Sequence, residues 1–366
     1  MNNRAIQNQY TPDFVSPPGE TLLEVLEEQG MTQAELAERT GRPKKTINEI
    51  VKGKAALTPE TALQLERVLG IPARFWNNRE QQYREALARQ EERERLQTQT
   101  DWLEQVPVRE MIKRGWIESC DDPIELLKIV LGFFGVASPQ QWQEIWSQKA
   151  VSFRKSTAFE SHPGAIAAWL RQGEIQAQQV SCDPYDAGKF RAALQQIRAL
   201  TVQPPEIFQP EMVRLCAAAG VAVVFVPQLT KTRASGATQW LSSSKALIQL
   251  SLRYKTDDHL WFAFFHEAGH LLLHGKREVF LEGAIAQDSQ KQDLEMEADT
   301  FAAGTLIPPD TLEQFLKLRQ RSKAAIEQFA AKIGIAPGIV VGRLQHDDVL
   351  PNSHCNDLKQ RFEWAE

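Results

Sequence analysis

Between Gly19 and Arg79 apolar residues recur at helical spacing in short, closely punctuated runs. TLLEVLEEQG ends on Gly30, TQAELAERTG opens on a threonine and stops on Gly41, KKTINEIVKG stops on Gly53, and TPETALQLERVLG opens on Thr58-Pro59 and stops on Gly70. A capping oxygen ahead of a helix and a glycine behind it satisfy the groups a helix leaves open at its ends, so the pattern predicts a row of short helices. Leu36, Ile47, Ile50, Leu63, Leu65 and Leu69 form their inward stripe. The next run, NNREQQYREALARQEERERLQTQT, has few apolar positions and charges of both signs, which predicts a solvated helical linker over 80–100. From 101 to about 200 the pattern is helical and rich in tryptophan, and Trp102, Trp116, Trp142, Trp146 and Trp169 read as core.

The period changes after TVQPPEIFQP, a proline-dense stretch that reads as a boundary. GVAVVFVP has the length and β-branching of a strand, and KALIQLSL alternates like a half-buried one. The second strand would either offer an edge to an extended substrate or lie buried in its sheet. A long apolar helix containing WFAFFHEAGHLLLHG follows, then LEMEADTFAAGTLIP and further helices. FAAKIGIAPGIVVGRLQ resembles a second helix-turn-helix only faintly; Pro337, Gly338, Val340 and Val341 lack donors for bases, so it reads as helix packing.

Composition narrows the partners. With a net charge of -5, affinity for nucleic acid has to come from a local patch. One exists in MTQAELAERTGRPKKTINEIVKGK, where Arg42, Lys44, Lys45, Lys52 and Lys54 stand against Glu49 alone. Two short helices joined at a glycine are the layout in which the second enters the major groove. Gln33 and Arg42 are then placed for the DNA backbone, and Lys44, Lys45, Thr46 and Asn48 for base edges, with Ile47, Ile50 and Val51 inward. Residues 19–79 resemble the HigA-type branch of the Xre helix-turn-helix family almost from end to end. That resemblance implies a five-helix domain, commonly a homodimer on a palindromic double-stranded operator. Pro43, where the recognition helix begins, departs from the expected pattern but suits a first turn.

His266-Glu267-Ala268-Gly269-His270 is H-E-x-x-H, in which one helical turn puts two imidazoles on one face with a glutamate beside them. A hydrolytic zinc takes three protein ligands and keeps a position for water. His274 is unsuited as the third, because it lies about 12 Å along the helix axis from His266, and it reads as a helix-end residue before Gly275. Glu295 and Asp299, spaced i, i+4 in LEMEADTFAAG, share a face. Glu295 is the expected third ligand and Asp299 the carboxylate that orients a ligand ring from behind, while Glu297 points elsewhere. A further oxyanion donor could come from Arg253, Tyr254 or His259, which otherwise read as surface contacts.

Residues 150–362 resemble the ImmA/IrrE zinc metallopeptidases, carried by AWLRQGE, YDAGKFRAALQQIRALT, GVAVVFVPQL, WFAFFHEAGHLLLHG, EMEADTFAAGTLIP and IAPGIVVGRLQHDDVLP. The resemblance implies His266, His270 and Glu295 on Zn2+, Glu267 as catalytic acid/base, and a DNA-binding repressor as the protein cleaved. That repressor is expected to be either a partner or this chain itself, with the exposed linker over 80–100 as the cut site. The expected fold is mainly α with a small β-sheet: an all-α helix-turn-helix domain over 1–79, a linker over 80–100, a helical bridge over 101–200, and an α+β zincin-like metallopeptidase core over 201–366. Cys120, Cys182, Cys216 and Cys355 are too scattered for a disulfide framework or a metal site, and the N-terminus has no apolar leader. A cytoplasmic protein without membrane partners is expected. The competing expectation is a non-catalytic, antitoxin-like transcription factor whose metal site is structural or sensory.

Overall fold

The computed structural model describes residues 16–147, 162–274, 280–281 and 289–364, in two compact units that divide after Gln99.

Five helices build the first unit: α1 (Pro18–Glu28), α2 (Gln33–Thr40), α3 (Lys44–Val51), α4 (Pro59–Leu69) and α5 (Ala73–Gln97). Their ends follow the local chemistry. Thr32 and Glu35 close a reciprocal capping box on α2, and Gly41 and Gly70 terminate α2 and α4 in the left-handed conformation that lacks a Cβ penalty. Leu22, Leu36, Ile47, Leu65 and Trp76 make a shared core. Leu63 departs from the expected stripe and is 48% exposed. Ala62, Leu65 and Leu69 already fill the inward face of α4, and Leu63 stands a helical step of about 100° away. Helix α5 carries the charged stretch to Gln97 without a break, so most of the expected linker is regular helix.

The second unit is helical around a small sheet. Before the sheet come α6 (Val108–Lys113), α7 (Pro123–Phe134), α8 (Pro139–Trp142), α9 (Pro163–Gln179), α10 (Ala187–Ala199) and α11 (Pro205–Ala217). The proline-dense stretch read as a boundary is thus the start of a helix. Pro205 occupies the first turn, where a missing N–H costs nothing, and Pro210 is carried within the helix. Trp102, Trp142, Trp146 and Trp169 are buried, while Trp116 is half-buried and stacks on Phe133.

Strands β1 (Val221–Phe225), β2 (Gly236–Ser242), β3 (Lys245–Leu250) and the two-residue β4 (Phe280–Leu281) form a sheet in the order β1-β3-β2-β4. β1 runs parallel to β3, and the other two pairings are antiparallel. β3 is therefore central, with no free edge for a substrate, and it is buried on both faces. Its alternation misleads because Gln249 is a buried polar residue. The Gln249 amide donates to the Trp169 carbonyl at 2.7 Å, over Gly173, where any side chain would collide with it. The opposite face, with Val221, Val223, Ala246, Ile248 and Leu250, joins the main core.

Against that core lies α12 (Asp257–Leu273), followed by α13 (Ser289–Leu306), α14 (Pro309–Lys317), α15 (Lys323–Ile333) and α16 (Pro337–His346). Val340, Val341 and Leu344 of α16 are fully buried, as the packing reading of that segment requires. No single described helix is long and apolar enough to cross a membrane.

The start of α12 is clamped by the C-terminal segment. Lys359 pairs with Asp258 at 2.6 Å, and the Asp257 carboxylate accepts from the N–H groups of Asp258 and Gln360. Gly338 and Gly342 let α16 come close to both aspartates. Burial first, then the Asp258 charge, pushes the Asp257 carboxyl up to about 7. The folded chain thus keeps a proton there that the unfolded chain releases above about pH 4. This group is neutral to stability at lower pH and costs stability as pH rises from about 4 through 7. Asp257→Asn keeps the accepting oxygen without the charge. In thermal melts it should gain at least about 1 kcal/mol over the wild type at pH 8, shrinking toward pH 5.

Candidate metal centre

From Leu260 to Leu273 helix α12 is apolar except at His266, Glu267 and His270, and the two histidines lie one turn apart. His266 and His270 are 2% and 1% exposed, between Trp261, Phe264, Phe265 and Leu271 of the same helix. Such polar groups need partners to be buried. Helix α13 supplies them by packing closely on α12 at Gly269, where an added Cβ would come within 3.2 Å of the Ala298 backbone. The contact sets Glu295 and Asp299 against the two rings. Glu295 lies 3.2 Å from Nε2 of His266 and 3.6 Å from Nε2 of His270, and the two Nε2 atoms are 3.0 Å apart. His266, His270 and Glu295 are the described residues that offer a metal such a set of atoms, all within 4.8 Å of one another.

The chemistry of this set fits a cation. Asp299 Oδ1 is 2.8 Å from Nδ1 of His266, and a carboxylate only accepts, so Nδ1 carries a hydrogen. A neutral His266 then turns a bare lone pair toward Glu295. Acceptors this close need positive charge among them, from a ring proton or from a metal. Burial holds His270 down at about 4, against the opposing pull of Glu295. For Glu295, burial acts to raise the carboxyl, but its bonds to His266 and His270 outweigh it and leave the group at about 2. Near neutrality the site therefore presents a neutral His270 and an ionised Glu295, the forms that bind zinc. A tetrahedral zinc with bonds near 2 Å spaces its ligand atoms about 3.3 Å apart, and the three separations here straddle that value.

Glu267 is fully buried beside the pair. It stands over Gly236 at the start of β2, where an added Cβ would lie 2.7 Å from its Cγ and Oε1. Thr238 Oγ1 donates to the Glu267 carbonyl at 3.2 Å, which ties this turn of α12 to β2. His274 caps the C-terminal end of α12 and, with Glu297, lies outside the donor set, as the sequence reads, but the two also meet each other and the ligand ring. Nδ1 of His274 is 2.9 Å from Nδ1 of His270, and its Nε2 is 3.2 Å from Glu297. Spacing along the helix excluded His274 as a ligand but said nothing about contact with the neighbouring ring. The i, i+4 relation of the two histidines was the available signal. Arg253, Tyr254 and His259 group with one another instead, with Tyr254 stacked on His259 at 4.2 Å and Arg253 over the Tyr254 ring. His259 precedes His266 by two turns, about 10 Å along the axis.

In the first unit, Lys44, Lys45 and Asn48 are exposed on α3, Gln33 and Thr46 are half-exposed, and Ile47, Ile50 and Val51 are buried. Lys45 lies 3.8 Å from Glu49, an exposed pairing that leaves it available. Arg42 behaves differently from the expectation of a phosphate contact. Its guanidinium turns back onto α4, donating to Gln64 and lying 3.4 Å from Glu60.

The first unit thus has the helical form of a DNA-binding module, and the second holds a donor set of the kind a metallopeptidase-type enzyme uses. Residues 22–76 match the helix-turn-helix family model, and residues 216–345 match that of the IrrE N-terminal-like domain, a peptidase family. No curated protein matches the chain. The chain is a fusion of an Xre-type helix-turn-helix domain with an ImmA/IrrE-like peptidase domain.

Proposed function

We propose that this protein is a transcriptional regulator that binds a double-stranded operator and cleaves a repressor protein at a zinc centre formed by His266, His270 and Glu295. The observation that carries the reading is the fully buried Glu267 next to that donor set. A purely structural zinc uses all four positions for protein ligands and needs no base beside it. When bound, the zinc ion supplies an acidified water and a Lewis-acid partner for the scissile carbonyl. Glu267 takes the proton of the attacking water and returns it to the departing amine nitrogen, so the C–N bond breaks without expelling an anion. Gly236 gives the glutamate room to do this. Asp299 holds the hydrogen of His266 on Nδ1 and so keeps Nε2 toward the centre.

A partner protein suits the site better than the chain's own connector. Residues up to Gln97 lie in the regular helix α5, which would have to unwind before entering a peptidase cleft. The test is incubation of the zinc-loaded full chain with candidate repressors, with and without chelator. Cleavage that persists in chelator removes the metallopeptidase reading.

The other half of the proposal places α3 in the major groove of a cytoplasmic operator, bound by a homodimer. Replacing Lys52 and Lys54, exposed residues of the basic patch outside the base-edge set, with alanine should weaken binding to specific and random duplexes alike, and flatten the salt dependence by about one unit of log–log slope per lost phosphate contact. Asn48→Ala should cost about 1–3 kcal/mol on the operator alone. Titrations on both duplexes at several salt concentrations separate the two effects.

A further inference from the structure

The two ligand histidines are supported from behind in different ways. On His266 the support is direct, through Asp299 at 2.8 Å. On His270 it runs through a second ring, whose Nδ1 lies 2.9 Å from Nδ1 of His270 and belongs to His274. The His274 side chain is 3% exposed, and its far nitrogen reaches the Glu297 carboxylate at 3.2 Å. Glu297 lies on the same helix as Glu295 and Asp299, so one segment of α13 addresses both rings.

We propose that His274 is the positioning residue of the metal centre, relaying the Glu297 carboxylate to His270. The inference rests on the zinc reading above, and proton placement makes it specific. His270 must keep Nε2 bare for the metal, so its hydrogen sits on Nδ1. That N–H can donate to His274 only if Nδ1 of His274 is itself bare, which puts the His274 hydrogen on Nε2. There it donates to Glu297. Every donor in the series then has an acceptor, and one tautomer of each ring satisfies all the contacts. A hydrogen on His274 Nδ1 would instead oppose two N–H groups across 2.9 Å and turn the His270 ring away from the centre.

The test measures zinc affinity of the full chain by competition with a chromophoric chelator, alongside thermal melts of the metal-free protein. Glutamine can accept from His270 and donate to Glu297, whereas phenylalanine fills the space and does neither. His274→Phe should weaken zinc by about 10–100-fold with the metal-free melt unchanged, and His274→Gln should restore most of that loss. Wild-type affinity in His274→Phe, or a loss in His274→Gln as large as in His274→Phe, overturns the relay. Should His274→Phe fail to fold, long-range proton–nitrogen spectra of the zinc-loaded wild type decide the matter. Hydrogens on Nδ1 of His270 and Nε2 of His274 support the relay, and the opposite tautomer of His274 overturns it. A wild type that takes up no zinc defeats the parent reading as well, and that result is distinct from any variant effect.

Discussion

Glu267→Gln should keep stoichiometric zinc and lose peptide-bond cleavage by about 10²–10⁴-fold, the range general acid–base catalysis supplies. The substitution changes one thing. Glutamine has the shape of glutamate, so it fits the space over Gly236, and the Thr238 bond goes to the backbone carbonyl, which does not change. What disappears is the ability to hold a proton between water and amine. The metal ligands are other residues, so metal content stays constant and serves as the internal control. Metal analysis and repressor cleavage, followed by mass spectrometry on the same preparation, check the prediction. Cleavage at the wild-type rate in the Glu267→Gln variant would sink the enzymatic assignment and leave an operator-binding protein with a metal of another purpose.

The second large effect is on the metal itself. Glu295→Ala should weaken zinc binding by more than the about 10–100-fold expected for loss of a group behind a ligand, and abolish cleavage with it. Without this carboxylate the centre keeps two imidazoles, short of the three protein ligands of a hydrolytic zinc. It also loses its negative charge, which the surrounding bonds maintain down to about pH 2. The fold should survive, because α13 is anchored on α12 by Ala298, Ala302 and the close approach at Gly269, none of which involves the carboxylate. Equilibrium competition for zinc and a thermal melt of the metal-free variant separate the two quantities. Unaltered affinity would mean that the third ligand lies elsewhere.

Much of the centre could be read before folding was considered, because helical geometry is local. His266 and His270 face the same way by spacing alone, and so do Glu295 and Asp299. Chemistry then suggested joining the pairs. The contact of His274 behind His270 is not legible in the sequence for a related reason. Helical spacing places His274 too far along the axis from His266 to share its metal, and Glu297, between Glu295 and Asp299 in the sequence, reads as pointing elsewhere. A side chain at the flank of a helix can still reach a neighbouring helix when the two approach as closely as α12 and α13 do. Arg42 shows the converse. Its position beside the recognition helix is that of a phosphate contact, yet Gln64 and Glu60, well along the chain, hold it within the domain.

The sheet followed the same division. GVAVVFVP and KALIQLSL announce strands through β-branching and period, both properties of neighbouring residues. Whether a strand is central or at an edge depends on what lies beside it. β3 is enclosed because β1 and β2 take both its sides and the Trp169 carbonyl satisfies Gln249.

By itself, then, the order of residues determined the helix starts and stops, the inward faces of α2 and α3, the paired imidazoles and the two-part plan of DNA reader and peptidase, since each depends on groups within a turn or two of one another. Only the tertiary structure decided that Glu295 meets the histidines, that Glu267 is enclosed over Gly236, and that His274 links His270 to Glu297. Those contacts join segments whose separation along the chain carries no distance information until the apolar core brings the helices together.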